Sequence, residues 1–214
     1  MMGRIATVAA VAAAAGLLLA GCGGDDGGDG KASGEIKGAG KSSTPSKSES
    51  VAPGAPEFDL PSDVKVEVSA DETGDKAKDA VLKDHEYALM ASQESFAKAE
   101  PTANFKRFWT GQAAAQYEAS FKAYKKDGAT VTGSDRFYFR EVTSLKGKRA
   151  TVAFCEDQSK FFDKIVKSGK VERNKPSLKS FVDRRVVLEK SGDGHWRVVE
   201  AQGSRGSKEC QQKA

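Results

Sequence analysis
Two histidines, four tyrosines and three cysteines carry most of the chemistry open to this 214-residue chain. His85 and His195 are too few for a metal centre, which needs more ligands converging on one point. Asp84 and Glu86 flank His85 in a pattern expected to face solvent. His195 follows the turn Ser191-Gly192-Asp193-Gly194, where exposure is again expected. Tyr87, Tyr138, Asp157 and Asp183 are the phenols and carboxyls that could share acid–base work. Asp183 precedes Arg184-Arg185 and reads as a salt bridge or a solvated face, and Tyr87 reads as a cap beside Val81 and Ala88. There is no GxSxG, HExxH, P-loop, GxGxxG or CxxC motif, so a nucleophile elbow, zinc helix, phosphate cradle or dithiol centre is unsupported. No cofactor is expected.

The elements that must position these groups follow from periodicity. Phe58 to Val68 contains Pro61 and the alternation Val64, Val66, Val68, an extended entry segment suited to a sheet edge because Pro61 cannot donate to a ladder. Asp75 to Ala99 is a first helix, with Leu82, Leu89 and Phe96 recurring every seven residues, and Pro101 stops it. Asn104 to Lys126 is a second helix, rich in aromatics and open to a break at Gly111, ending at Asp127-Gly128. The period then changes to two. Strands are expected over about Val131–Leu145, Ala150–Cys155, Ser180–Glu189 and His195–Ala201, four in all. Phe137 and Phe139 share one face, and Glu156 to Leu178 is a polar loop in which Phe161, Phe162 and Ile165 form a covering helical turn. Helices first and an antiparallel sheet afterwards give an α+β class.

The N-terminal end has its own logic. Arg4 precedes an apolar run from Ile5 to Ala20, too short for a spanning helix and suited to a signal-peptide core. Leu19-Ala20-Gly21-Cys22 closes it and resembles the bacterial lipoprotein signal. That resemblance implies cleavage after Gly21 and lipidation of Cys22, with two or three acyl chains (palmitate) holding the protein to the extracytoplasmic face of the cell membrane. An ordinary secretory signal with a chance cysteine is the alternative. Residues 23–56 hold nine Gly, six Ser and three Pro, a composition that cannot bury enough surface to order itself. The expected organisation is therefore a signal peptide over 1–21, a lipidated tether over 22–56 and one domain over 57–214. Lipidation of Cys22 leaves Cys155 and Cys210, which in an exported domain read as a disulfide worth on the order of 4 kcal/mol; two free thiols are the alternative.

Charge is uneven along the domain, −7 over 57–100 and +11 over 101–214. The plain reading is solvated or complementary faces. The sharper one is a basic surface for anionic envelope polymers or lipid, with Lys122, Lys125 and Lys126 as its candidates. No nucleic acid partner is expected for a protein outside the cell.

The order of elements, with the late hairpin Gly192-Asp193-Gly194-His195-Trp196-Arg197-Val198, resembles the NTF2-like (SnoaL-like, ketosteroid-isomerase-like) cone. Cys155-Glu156-Asp157 with a C-terminal Cys210 is similar to exported actinobacterial lipoproteins of that architecture. The resemblance implies a curved sheet wrapping the helices around a conical cavity, which Tyr87, Trp109, Tyr138, Phe139, Phe154 and Trp196 would line, and it admits a homodimer through the sheet. An isomerase of this fold would use an Asp base with a Tyr and a protonated Asp in an apolar pocket. Three readings stand: a non-enzymatic lipoprotein module binding a small apolar ligand or an envelope protein, a cavity enzyme of the isomerase or cyclase type, and a structural accessory subunit whose cavity is filled. A buried carboxylate and a tyrosine sharing one cavity would separate the second from the others.

Overall fold
The structure is a computed structural model and describes residues 55–214. The expected signal segment, Cys22 and all but the last two residues of the tether lie outside the described residues. No helix among the described residues is long and apolar enough to cross a membrane.

Strand β1 (Val64–Val68) leads into helix α1 (Lys76–Lys98). Asp75 caps α1, its carboxylate accepting from the Ala77 and Lys78 amides, and Ala99 in the left-handed region ends it one residue before Glu100-Pro101. The second expected helix is two. Helix α2 (Ala103–Phe108) and helix α3 (Gly111–Asp127) are separated by Trp109 and Thr110. Trp109 bridges to Val198 in extended form, and the Thr110 amide donates to the Val198 carbonyl. The break falls at Gly111 because its φ of +61° is one that L side chains avoid, and a Cβ there would stand 3.3 Å from the Val199 carbonyl oxygen.

The sheet has six strands rather than four. Strands β2 (Ala129–Lys146), β3 (Arg149–Ile165), β4 (Val171–Glu172), β5 (Phe181–Lys190) and β6 (Trp196–Arg205) join β1 in the order β1-β2-β3-β5-β6, with β4 on the far end of β3. β1 runs parallel to β2, and every other pairing is antiparallel. The stretch expected as loop and covering turn is instead the second half of β3. Phe161 and Phe162 pair with Gly133 and Thr132, in a polar sequence that does not alternate cleanly. Three register shifts bend β2 against β3, between Ser134 and Arg136, between Tyr138 and Glu141 and between Val142 and Ser144, as bulges do. The chain is thus α+β, with α1, α2 and α3 packed on one face of an open, curved sheet.

The main core lies between α1, α2, α3 and the inner face of β2, β3, β5 and β6, with Phe105, Phe108, Trp109, Phe121, Leu188 and Trp196 among its buried side chains. The outer face holds a small second cluster. Helix α4 (Lys208–Gln212) is tied there by the Cys155–Cys210 disulfide (Cα–Cα 5.4 Å), and the Tyr138 hydroxyl donates to the Cys210 carbonyl at 2.6 Å.

Candidate functional site
Polar residues interrupt the apolar inner register of three strands and one helix, and they meet. On α1, Gln93 lies one turn beyond Leu89, in the same stripe as Phe96. On β2, Asp135 is two residues before Phe137; on β3, Glu156 is two after Phe154; on β5, Arg184 stands between Val182 and Val186. Strand register brings them side by side, since Glu156 pairs with Phe137 and Val182, and Phe154 pairs with Arg184.

Gln93 Nε2 donates to Asp135 Oδ2 at 2.9 Å, and Arg184 Nε donates to Glu156 Oε2 at 2.5 Å. Gln158 Nε2 donates to the other Glu156 oxygen. Asp135 is fully buried and Glu156 is 2% exposed. Burial, and then the Glu156 carboxylate beside it, push the Asp135 carboxyl well above the usual range, and its Oδ1 is buried with no hydrogen-bond partner. Burial alone would weaken the charge on Arg184, but the Glu156 carboxylate overcomes that and holds the guanidinium ionised. Burial also raises the Tyr117 phenol, whose field comes from Arg184, Glu156 and Asp135. Two carboxyl groups, a guanidinium and a phenol therefore lie close together.

Gln93, Tyr117, Glu156 and Arg184 line a cavity of about 590 Å³, and Asp135 is not one of its wall residues. Its walls are the C-terminal half of α1, the Tyr117–Tyr124 face of α3, and β2, β3 and β5, with the segment 174–180 and Arg205 at its mouth. Phe96, Phe137, Phe154, Phe161 and Phe162 supply its apolar surface. Near the mouth the Tyr124 hydroxyl donates to Asp163 Oδ1 at 2.5 Å, and burial with that carboxylate raises the Tyr124 phenol.

The residues expected from sequence fare unevenly. Phe154 lines this cavity. Trp109 and Trp196 fill space instead: Trp109 stacks on Phe105 and its indole donates to the Ala88 carbonyl at 2.7 Å, while Trp196 is 4% exposed. Tyr87 packs against Phe58 and Phe108 under the Lys83 ammonium, away from the cavity. Tyr138 is on the opposite face with the disulfide. Phe139 is not a wall residue; it is 53% exposed. The bulge after Tyr138 inverts the alternation, Phe139 taking φ 51° and turning outward while Arg140 turns in to the Ser69 and Leu82 carbonyls. Asp157 caps the Ser159 amide, and Asp183 is exposed.

Both histidines correct the expectation of exposure. His85 is completely buried against Phe154 with neither ring nitrogen hydrogen-bonded, and burial lowers its pKa to about 3. It belongs to the stripe Val81-His85-Leu89, which its charged neighbours disguise. His195 lies between Asp84 and Arg107, Nδ1 to Asp84 Oδ1 at 3.2 Å and Nε2 to Arg107 Nη2 at 2.7 Å. Arginine can only donate, so Nε2 accepts and Nδ1–H faces the carboxylate. Among the described residues no three His, Cys, Asp or Glu side chains converge as metal ligands. Gln93, Asp135, Glu156 and Arg184 were missed by motif reading; the signal for them is a polar residue in phase with an apolar face.

No family model and no curated protein matches this sequence. Solved structures similar to it include a ketosteroid isomerase-like protein from Erwinia carotovora atroseptica (17% identity, TM-score 0.40, covering 59% of this chain and 96% of that one). Another is an NTF2-like superfamily protein from Salmonella enterica serovar Typhimurium (14% identity, TM-score 0.42, covering 62% of this chain and 95% of that one). Likenesses this weak carry nothing about ligand or activity.

Proposed function
We propose that this chain is an extracytoplasmic lipoprotein whose NTF2-like domain holds a small, largely apolar ligand, tethered to the cell membrane through lipid on Cys22. The observation that carries the reading is the cavity itself. At about 590 Å³ it falls within the range of small-molecule sites, and an apolar wall with a few convergent polar groups is how such sites are built. Phe96, Phe137 and Phe154 receive the ligand body, while Arg184, Glu156 and Tyr117 fix its orientation. The tether composition and the Leu19-Ala20-Gly21-Cys22 signal support the anchoring.

Native mass spectrometry of the full chain carrying Cys22→Ser, exported by its own host and purified without detergent, tests the binding reading. A reproducible adduct of a few hundred daltons is the expected result. A bare mass sinks it and moves the search to an envelope protein partner by crosslinking, and the same spectrum reads monomer against homodimer. Anchoring is tested separately, since Cys22→Ser should release the protein from the membrane fraction.

A second reading, an isomerase- or cyclase-type enzyme, is favoured by one observation: the Asp135 carboxyl, raised well above its ordinary value, lies beside Glu156, which lines the cavity together with the Tyr117 phenol. If it holds, the compound extracted from the Asp135→Asn variant differs by NMR from that extracted from the wild type. Identical extracts leave the protein a binder.

A further inference from the structure
The charges bordering the cavity narrow what it holds. Arg184 projects from the inner face of β5, its side chain 24% exposed. Among the described residues only its Nε–H has a protein acceptor, Glu156; the two terminal nitrogens have none. They lie over β6 because Gly203 has no side chain there: a Cβ would stand 2.7 Å from Nη1 and 2.9 Å from Cδ. Arg205, two residues along β6 and in phase with Gly203, borders the same cavity, as do Lys175 and Lys179 in the segment entering β5. The carboxylates on the wall are already engaged, Glu156 by Arg184 and Gln158, and Asp163 by the Tyr124 hydroxyl. Asp135 is fully buried and is not part of that wall. Positive charge is therefore left over on one side of a space whose other walls are aromatic rings and neutral polar side chains.

We infer that the ligand is an amphipathic organic anion whose carboxylate or sulfonate is received by the terminal nitrogens of Arg184, beside Arg205 and Lys179, with its apolar body along Phe96 and Phe154. This rests on the ligand-holding reading above. A guanidinium fork matches a planar carboxylate in two parallel hydrogen bonds, and the lysines add point charges. Because Arg184 is half-buried, its attraction is screened less than that of a surface cation.

The test uses the full chain carrying Cys22→Ser, so that no acyl chain of its own competes. The uncharged fluorophore N-phenylnaphthylamine reports the cavity, and dodecanoate and dodecanol, equal in chain and different in head group, compete for it. Dodecanoate is expected to displace the probe at a concentration at least about tenfold lower than dodecanol, the size of a hydrogen bond to a charged group. Arg184→Lys, which keeps the charge facing Glu156 but loses the fork, should erase most of that preference. Lys179→Gln with Arg205→Gln, which leaves the Arg184–Glu156 pair intact, should weaken the preference several-fold, and it decides the matter if Arg184→Lys does not fold. Equal displacement by the two competitors overturns the anion inference while the cavity reading stands. Failure of the probe to bind the folded wild type overturns both.

Discussion

The two halves of α1 lie on the same sheet and make opposite things. Around Val81, His85 and Ala88 the space is solid, filled by Phe108, Trp109 and Trp196. Around Gln93 and Phe96 it is hollow, and the residues lining it include a carboxylate and a guanidinium. The difference comes from what stands opposite. Trp109 and Phe108 at the end of α2 plug one end, whereas at the other Tyr117 and Tyr124 of α3 border an open space. One layer architecture thus supplies a stabilising core and a ligand space. The solid half should be intolerant of truncation and the hollow half intolerant of charge imbalance.

The largest expected effect is in the solid half. Trp109→Ala should destabilise by about 3–5 kcal/mol, through the volume lost from a filled core and the indole bond to the Ala88 carbonyl. Phe162→Ala, on a half-buried ring at the cavity wall, should cost less than about 1 kcal/mol, because it removes little close packing. Urea denaturation of both variants checks the contrast, and equal costs would mean the cavity is packed in solution.

In the hollow half the corresponding stress is electrostatic. Arg184→Met strands the buried Glu156 carboxylate and should cost about 3 kcal/mol, toward the low end for breaking a buried pair because Arg184 is partly exposed. Adding Glu156→Gln should recover most of the loss, since two neutral groups leave no buried charge. A double-mutant cycle by chemical denaturation measures this. If the losses simply add, the pair is not a coupled unit.

Much of this division was legible in the sequence, and the illegible part has physical causes. Helix α1, the end of α3 and the strands carrying Phe154, Val186 and Val198 follow from spacing alone, because burial on one face imposes a period. The second half of β3 escaped because it faces an open space, where Gln158 and Ser159 serve as well as valine, so the alternation that marks a strand fades. Phe139 was misplaced because a bulge changes parity at one residue, which no composition reveals. His85 was hidden by charged neighbours that face other ways around the helix. The polar cluster was readable only as four apparent errors in apolar registers, whose meeting depends on strand pairing.

Smaller effects separate the halves by pH. His85, in the solid half, has its pKa lowered from 6.5 to about 3 by burial first and by Arg140 second. The unfolded chain therefore binds a proton there that the folded chain refuses. The associated stability is complete above pH 6.5 and is lost as pH falls toward 3, about 2 kcal/mol of it by pH 5. Asp135 has the opposite sign. Its folded carboxyl titrates above its unfolded value, so the folded state is favoured most below the unfolded value, near 4, and loses ground as pH rises. His85→Met should flatten the acid side of a stability-against-pH curve, and Asp135→Asn should flatten the decline toward neutral pH. Thermal denaturation between pH 4 and 8 reads both, and an unchanged curve in either variant would mean that its group is solvated.

The smallest effect tests the parity inversion that sets the hollow half's wall. Phe139 is 53% exposed at φ 51°, a backbone region that a large side chain enters at a cost and asparagine tolerates. Phe139→Asn gives up an edge-on contact with Tyr138 and the Lys213 ammonium 5.1 Å from its ring, and an exposed cation–π contact is worth about 0.5–1 kcal/mol. Relief of the backbone offsets that loss, so the net change should stay within about 0.5 kcal/mol of zero. Phe137→Asn, two residues back on a ring 2% exposed, should instead cost about 3 kcal/mol or more by emptying the core and burying an amide. Similar costs at the two positions, measured by urea denaturation, would restore the simple alternation and put Phe139 back on the cavity wall. A wide gap would place the bulge in solution as the device that turns Arg140 inward and keeps the aromatic wall at Phe137 and Phe154.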